Sequence, residues 1–393
     1  MAKNVGKKEQ SNKTKIIPFI FFVLVLIFVV GGHLLNKLRT DNDKNPPKGT
    51  GDELAVVAIE MSSRFGDSTL IKYNNYEILV DAGTSSDKKY VQDALKEYVT
   101  DKTLDLLIVS HAHADHIGAM TDVSFFDDID VDVSKIVDTG HEVKGESDGI
   151  TISQKYNKMC DELVSRGAEK LDYFDIINDK NIETVWNIDE EGKIFLEFFD
   201  TGNILEPTTL KSDDLNDTSI VFVLNYNNTK WFFGGDLSSN CEMDLVNNIK
   251  DVDKDYFTDE NNVVFKTCHH GSETSNGELL LDFVKPDIIF TMSGFISGES
   301  KDDPIKDQHP YFVSLERMKK YTDKIYWSSI NGQIIFTTIG EEIEFDAKGR
   351  THDYYYNGEI VNKEEEKLVT IFESKWYLAL KALSPQEENK LSE

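Results

Sequence analysis

The chain has 393 residues, of which 39% are hydrophobic and 29% are charged, and its formal net charge is −29. This length allows one large domain or two smaller ones, and the strong acidic excess argues against non-specific binding to nucleic acid, because it repels polyanions. Its three cysteines are too few and too scattered to form a disulfide framework.

The first apolar segment of the chain predicts a membrane anchor. The stretch "IIPFIFFVLVLIFVVGG" within residues 16–35 carries no charge and approaches the ~20 apolar residues that span a bilayer. A cleavable signal peptide is the alternative, but no small-x-small cleavage pattern follows. Five lysines precede the span, so the tail is expected inside and the catalytic domain outside the cell membrane, in a single-pass topology. The predicted division is a tail at 1–15, the anchor, a linker at 36–52, a hydrolase domain at 53–345 and a C-terminal extension at 346–393.

The remaining sequence alternates between short β-type runs and amphipathic helices. Turns containing asparagine join three pairs of runs, "STLIKYNNYEILVDAG", "SIVFVLNYNNTKWFFGGD" and "IYWSSINGQIIFTT", and predict three hairpins. A last helix is expected at 364–382, with an apolar face that packs on the domain more plausibly than it docks a partner. This mixture predicts a mixed-sheet sandwich covered by helices. The other predicted helices are 90–98, 152–166, 240–249, 279–283 and 311–321.

The stretch "IVSHAHADHIGAM" places His111, His113, Asp115 and His116 directly after an apolar strand. Side chains at i and i+2 of an extended loop point to one side, so His111 and His113 can hold one metal while Asp115 and His116 turn toward a second. Imidazole together with carboxylate suits Zn²⁺, Mn²⁺ or Fe²⁺. The alternative, an accidental histidine-rich loop, is disfavoured by the coincidence of strand, order and spacing.

Two further strand ends carry candidate ligands. "WFFGGDL" ends at Asp236, where two glycines allow the backbone to approach closely and deliver a carboxylate that can bridge two ions. "VVFKTCHHGSETS" ends another strand at His269 and His270. An aspartate at a strand end usually forms a turn, so each cluster alone is weak evidence for a metal site. The clusters together are stronger evidence.

Together these motifs resemble the metallo-β-lactamase superfamily, whose signature is HxHxDH, a later Asp and a final His. More narrowly, the chain is similar to the hydrolase domain of competence DNA-uptake proteins of the ComEC type, in the order "GDSTLIKYNNYEILVDAG", "SHAHADHIGAM", "NDTSIVF", "GGDL", "HHGSETS" and "HPYFVSLERM". The resemblance implies an α+β fold, a four-layer αββα sandwich. Similar motifs occur in a secreted phosphorylcholine esterase group, so the substrate is less specified than the fold.

The resemblance also implies roles for individual residues. Asp236 would bridge two divalent metal ions, His269 would face the substrate, and Asp81 in "LVDAG" would orient the histidine loop unless it is only a turn residue. The implied ligands are His111 and His113 for metal 1, and Asp115, His116 and His270 for metal 2.

The chain departs from the superfamily pattern at metal 1. Many members supply a third histidine, and here only His141 is available, in a segment that the resemblance places elsewhere. In the competence-like group this region reads "NDTS", so Asn216 or Asp217 are candidates for an additional ligand or for a supporting contact. His309 is interpreted as a phosphate contact or a general acid, with an ordinary loop residue before proline as the alternative.

These features predict a membrane-anchored hydrolase that uses two Zn²⁺ or Mn²⁺ ions and a shared hydroxide to cleave phosphate esters, nuclease-like by resemblance. Asp115 and Asp236 would accept a hydrogen bond from that hydroxide, while His269 or His309 would stabilise a phosphoryl oxygen. The expected substrate is small, or, if a nucleic acid, a single strand or an end. The N-terminal helix would contact the membrane, and the sequence does not identify a protein partner. The alternatives are a phosphorylcholine esterase or another ester hydrolase of envelope polymers, and a binding module with a structural metal.

Overall fold

The short apolar runs of this chain assemble into two large sheets. The computed structural model describes residues 51–145, 151–294, 309–351, 353–356 and 359–383. Its strands are β1 (Leu54–Ala58), β2 (Thr69–Tyr73), β3 (Tyr76–Val80), β4 (Thr103–Ile108), β5 (Asp132–Asp138), β6 (Glu142–Val143), β7 (Glu169–Asp172), β8 (Val185–Asn187), β9 (Ile194–Phe199), β10 (Thr209–Leu210), β11 (Val221–Tyr226), β12 (Thr229–Phe233), β13 (Asn262–Lys266), β14 (Ile288–Thr291), β15 (Ile325–Trp327), β16 (Ile334–Thr338), β17 (Ile343–Ala347), β18 (Tyr354–Tyr356) and β19 (Glu359–Val361).

The helices follow the amphipathic stretches of the sequence. They are α1 (Lys88–Tyr98), α2 (Ala114–Ile117), α3 (Ile152–Ser165), α4 (Tyr173–Asn178), α5 (Ser212–Leu215), α6 (Ser239–Val252), α7 (Glu278–Val284), α8 (Phe312–Met318), α9 (Ser328–Asn331) and α10 (Lys375–Leu383).

The two sheets are mixed, and in each the parallel strands all end at one edge. The first sheet has eight strands in the order β17-β16-β1-β2-β3-β4-β5-β7, and the pairs from β3 to β7 are parallel. The second has seven strands in the order β15-β14-β13-β12-β11-β9-β8, and the pairs from β12 to β15 are parallel. Parallel strands align their carboxyl ends, where ligand sites of α/β proteins form.

Alternation along the strands divides the core into three apolar clusters. Leu54 and Val56 of β1 point between the sheets, while Val57 points to the helices that cover the first sheet. Phe222 of β11 also lies between the sheets, and Val223 faces the helices on the second. Because strand side chains alternate faces, both sheets are buried on both sides. The layer order is therefore helix, sheet, sheet, helix, and the mixed α/β fold agrees with the prediction.

Two of the three predicted hairpins are present. β2 pairs with β3 around Asn74, and β11 pairs with β12 around Asn227, and both asparagines adopt a positive φ. The third prediction is wrong, because β15 and β16 lie in different sheets and are joined by α9. Asn331 in the joining segment instead exchanges two hydrogen bonds with the backbone of Val369, at 2.8 and 3.0 Å.

The last helix is shorter than predicted. It begins at Lys375, and only a single 3₁₀ turn, Ile371–Glu373, precedes it. Glu366 and Leu368 have positive φ, which breaks a right-handed helix. Trp376 is nonetheless buried, with its ring 4.9 Å from that of Trp327, so this part of the extension packs on the second sheet as expected.

No helix among the described residues is long and apolar enough to cross a membrane. The predicted anchor at 16–35 lies outside the described residues. All the described residues belong to one compact unit, Pro47–Glu393.

Candidate metal centre

The candidate ligands all follow the carboxyl ends of parallel strands. Asp81 follows β3, the HxHxDH loop follows β4, and His269 and His270 follow β13. Asp236 follows β12 after two glycines. Both sheets therefore contribute to one place, at the edge where their parallel strands end.

Each of the four histidines that are candidate metal ligands is held by one ring nitrogen. His116 Nδ1 donates to Asp81 Oδ2 at 2.8 Å, His270 Nδ1 to the Met292 carbonyl at 2.9 Å, and His113 Nε2 to the Ser212 carbonyl at 2.9 Å. The fourth is His111, whose Nδ1 lies 3.1 Å from the Ser110 hydroxyl. Such partners fix the tautomer and leave the other nitrogen as a metal ligand.

The free nitrogens and one carboxylate converge. Oδ2 of Asp236 lies 3.2 Å from His116 Nε2, 3.5 Å from His270 Nε2 and 3.9 Å from His111 Nε2. Asp115 Oδ2 lies 3.4 Å from His270 Nε2. One ligand atom from each of Asp115, His116, Asp236 and His270 lies within 4.8 Å of the others. This is the set that the sequence assigned to metal 2 and to the bridge.

These residues fit a divalent cation. Within the described residues, His116 Nε2, His270 Nε2 and Asp236 Oδ1 are buried and make no hydrogen bond, and an unsatisfied buried polar atom is costly. His111 Nε2 and His113 Nδ1 face each other at 2.8 Å, and a shared cation would remove the repulsion between their lone pairs. Histidine and carboxylate together suit transition metals.

The carboxylates of the centre also create an electrostatic environment that stabilises positive charge. Burial alone would lower the pKa of His116, but the carboxylates of Asp236 and Asp81 raise it well above its ordinary value. Burial opposes protonation of His270 too, yet Asp236 and Asp115 raise its pKa to about 10. Without metal, the two imidazoles therefore carry protons that balance the carboxylates. A bound cation would replace those protons.

Close backbone approaches allow the two strand ends to meet. Gly235 has φ of +52°, and a Cβ there would lie 2.7 Å from the Ser110 Cβ. His269 and His270 also adopt positive φ, of 50° and 53°, a conformation that non-glycine residues rarely accept and that is concentrated at functional sites. The sequence had indicated the role of the glycine, but the strained pair of histidines has no signature in it.

Asp81, Asn216 and Asp217 contact different residues near the centre. The Asp81 carboxylate accepts hydrogen bonds from Ser110 N and from His116 Nδ1, both at 2.8 Å, and so connects two residues of the histidine loop. Asn216 lies beside His269, with Nδ2 3.4 Å from its Nε2, and its Oδ1 is buried without a hydrogen bond. Asp217 instead accepts from the Ser238 hydroxyl. Of the two candidates, Asn216 faces the centre.

His141 has a hydrogen-bond partner in the segment that precedes Ser212. Its Nδ1 accepts a hydrogen bond from Thr208 N at 3.1 Å, and the buried residue directly precedes β6, which pairs with β10. Burial lowers the pKa of His141. It supports the segment that precedes Ser212, the residue that holds His113.

His309 is brought to the centre from a distant part of the chain. Its ring centroid lies 5.6 Å from that of His269 and 6.2 Å from that of His270, and the Phe65 ring meets it edge-on at 5.0 Å. Burial, together with the neighbouring His270 and His269, lowers the pKa of His309 to about 3. The imidazole is therefore neutral, which favours a phosphate contact over a general acid.

A buried ion pair beneath the centre was missed in the sequence. Lys266 of β13 pairs with Asp67, and both are buried and line a small cavity together with Asp81, Ser110 and Gly235. Burial alone would lower the pKa of Lys266, but Asp67 and Asp236 raise it, so the lysine stays charged. A lysine inside the apolar run "NVVFK" was the available signal, since lysine is almost never buried unpaired.

Comparison with known proteins identifies the class that this fold and site define. Residues 62–148 match the metallo-beta-lactamase superfamily. The chain therefore carries a metallo-β-lactamase domain, as its motifs indicated, and that fold implies divalent metal ions.

Two curated relatives match parts of this chain. ComE operon protein 3 of Bacillus subtilis is 22% identical over 237 residues, which cover 59% of this chain and 24% of that protein. Recombination protein 2 of Haemophilus influenzae is 24% identical over 141 residues, or 36% of this chain and 16% of that protein. The chain thus spans a quarter or less of the length of these relatives.

Solved structures with a related fold align more loosely. The metallo-beta-lactamase fold protein YhfI from Bacillus subtilis aligns over 75% of this chain and all of its own, with 13% identity and a TM-score of 0.40. A diphosphatase from the PhnP family aligns over 72% of this chain and 98% of its own, with 8% identity and a TM-score of 0.35.

Proposed function

We propose that this domain is a dinuclear-metal hydrolase of phosphate esters, a phosphodiesterase of nuclease-like character. The observation that carries the proposal is the convergence of Asp115, His116, Asp236 and His270 on one point, with buried nitrogen atoms that lack a hydrogen bond. Asp115 and His269 keep 23% and 27% of their side-chain surface exposed. An opening to solvent distinguishes a catalytic site from a closed structural one, which disfavours the binding module.

The residues suggest a division of labour. One divalent cation would be held by His111 and His113 at a first position, and another by Asp115, His116 and His270 at a second, with Asp236 shared. These cations would lower the pKa of a bound water and neutralise charge on the leaving oxygen. The carboxylates of Asp115 and Asp236 would accept hydrogen bonds from the attacking water and orient it.

His269 and His309 bind the phosphoryl group. Burial lowers the pKa of both imidazoles, so each presents a neutral N–H that donates to a phosphoryl oxygen. The mixed imidazole and carboxylate set favours Zn²⁺ or Mn²⁺ over Mg²⁺ and Ca²⁺, which prefer oxygen ligands.

The experiment uses the purified full chain in detergent, stripped of metal and reloaded with Zn²⁺ or Mn²⁺. We expect it to hydrolyse bis(p-nitrophenyl) phosphate with at least one of these metals, and much less of a β-lactam or a simple carboxylic ester. A folded protein that retains no metal by elemental analysis, or that cleaves no phosphodiester with any metal, would overturn the proposal.

The net charge of −29 shapes the expected substrate. Duplex DNA must approach against repulsion, whereas a small phosphodiester, or a single strand that threads into the site, suffers less of it. Added salt should therefore leave nuclease activity unchanged or raise it. Strong inhibition by salt would instead indicate a basic docking surface that relies on counterion release.

We further propose that residues 16–35 anchor the enzyme in the cell membrane with the domain outside. The support is the uncharged apolar run and the five lysines that precede it. Protease added to intact spheroplasts should digest the domain and spare the tail. A fully protected domain would reverse this topology.

A further inference from the structure

The loop at residues 62–66, "SSRFG", is fixed beside the candidate metal centre by a buried carboxylate. Asp87, which is fully buried, accepts hydrogen bonds from Ser62 N at 2.7 Å, Ser62 Oγ at 2.9 Å and Ser63 N at 3.2 Å, and also from Ser63 Oγ. The same carboxylate accepts from Thr84 N and Oγ1 at 2.9 and 2.8 Å. A carboxylate with six donors holds the loop in one conformation.

A second anchor ties this loop to the strand ends. Gly294 N donates to the Ser63 carbonyl at 2.6 Å, and a Cβ on Gly294 would lie only 2.1 Å from that oxygen. Gly294 follows Met292, whose carbonyl holds His270. The loop is therefore built into the same edge that carries the ligands.

The loop packs an aromatic ring against two histidines of the centre, and its guanidinium group lies against that ring. The Phe65 ring lies 5.0 Å from His309 and 6.1 Å from His270, centroid to centroid. The guanidinium carbon of Arg64 lies 4.9 Å from the Phe65 centroid, within the range of a cation–π contact. Arg64 is exposed, whereas Lys266 is buried.

We propose, building on the proposed phosphodiesterase function, that Arg64 binds the anionic phosphate of the substrate and selects esters that carry net negative charge there. A guanidinium group forms strong, directional hydrogen bonds with phosphate oxygens. It repels a quaternary ammonium group placed beside the phosphate. The site therefore favours an anionic phosphodiester over a zwitterionic phosphorylcholine ester.

The experiment compares Arg64→Gln with Arg64→Lys and with Lys254→Gln. Lys254 is an exposed cation that precedes β13, at the strand end opposite His269, so its replacement changes the net charge equally. For bis(p-nitrophenyl) phosphate, Arg64→Gln should raise KM by about 10- to 100-fold, the value of a hydrogen bond to a charged group. The kcat should change less, and Arg64→Lys should recover part of the loss.

The same variants separate the two candidate substrate classes. For p-nitrophenyl phosphorylcholine, Arg64→Gln should leave KM unchanged or lower it, while Lys254→Gln should change neither substrate by more than about twofold. The proposal fails if Arg64→Gln behaves like Lys254→Gln, or if the phosphorylcholine ester is preferred by the wild type and loses the preference in Arg64→Gln.

A binding measurement distinguishes failure of this inference from failure of the proposed function. Calorimetry with phenylphosphonate and the zinc-loaded full chain does not depend on turnover. Weaker binding by Arg64→Gln but not by Lys254→Gln supports the role of Arg64 even if no ester is hydrolysed. Equal binding by all variants, or no binding by the wild type, refutes it even if phosphodiesters are cleaved.

Discussion

The two proposed metal positions differ in how firmly the protein holds their candidate ligands. At the second position, His116 and His270 are buried and held by Asp81 and by the Met292 carbonyl, and Asp115 adds a carboxylate. At the first position, His113 is half-buried, and it is held by Ser212, which is exposed in the four-residue helix α5.

This difference follows from where the supporting residues lie. Asp81 and Met292 directly follow strands of the two sheets, so the core fixes their positions. Ser212 lies in a connection between β10 and β11, away from any strand of the large sheets. Because rigid partners raise metal affinity, we expect the second position to bind metal more tightly and the first to be the weaker one.

The largest effect is expected from removing the ligand that both positions share. Asp236→Asn should lower phosphodiesterase activity by about 1,000-fold or more, beyond the roughly 10- to 100-fold of an outer partner, and should reduce the bound metal measured by elemental analysis. His116→Ala should do the same. Asp93→Asn, an exposed carboxylate on α1, is the control, and an Asp236→Asn protein with full metal content would contradict the assignment.

The two positions are also expected to differ in the number of protons that their ligands release when metal binds. The pKa of His270 is raised to about 10, from an ordinary histidine value of about 6.5. Protonated His270 therefore stabilises the metal-free fold fully below pH about 6.5, and this contribution is lost as the pH rises toward 10. The pKa of Asp236 is lowered by His116 and His270 although burial would raise it. Its contribution is therefore present above pH about 4 and lost on acidification.

Zinc binding at the second position must displace the protons on His116 and His270. The apparent affinity should rise by about 10-fold per pH unit for each proton displaced, hence about 100-fold from pH 7 to pH 8. Burial lowers the pKa of His111, so the first position should show a shallower dependence. Calorimetry in buffers of different ionisation enthalpy counts the protons, and a pH-independent second position would contradict the argument.

The candidate ligands could be proposed from the sequence because their patterns are local. The HxHxDH spacing and the strand-final Asp236 and His270 are short-range patterns whose meaning depends only on strands that end at one edge. Arg64, Phe65 and Lys266 gave weaker signals, because their importance arises from contacts between segments that are far apart in the chain. No local rule relates Asp87 to a loop 25 residues earlier.

Long-range contacts also explain why the predicted hairpin between β15 and β16 is absent. Asn331 and Gly332 form a favourable hairpin dipeptide, but Asn331 bonds to Val369 and a Cβ on Gly332 would lie 2.0 Å from the Gly349 carbonyl oxygen. The segment is thus shaped by the extension that packs against it, and the two strands enter different sheets. Turn chemistry alone could not distinguish these outcomes.

A smaller effect is expected from the partner of His116. Asp81→Asn keeps the shape of the side chain but removes its charge, so it should hold the imidazole less firmly and lower metal affinity or activity by about 10- to 100-fold. The zinc titration of this variant should weaken at the second position first. An equal loss at both positions would mean that Asp81 acts on the whole histidine loop through Ser110.

The smallest effect is expected from Ser212→Ala, which directly tests the first metal position, the one expected to bind metal more weakly. His113 Nε2 lies 3.0 Å from the Ser212 hydroxyl and 2.9 Å from its carbonyl oxygen. The carbonyl remains in the variant and can still accept the N–H, so only one of two alternative partners is lost, and the net value of such a hydrogen bond is about 1 kcal/mol. Affinity at the first position should therefore fall by no more than about fivefold, with the second position unchanged, in a two-step zinc titration. A loss as large as that of Asp81→Asn would show that the hydroxyl, rather than the backbone, orients His113, and that the two positions are prepared to the same degree.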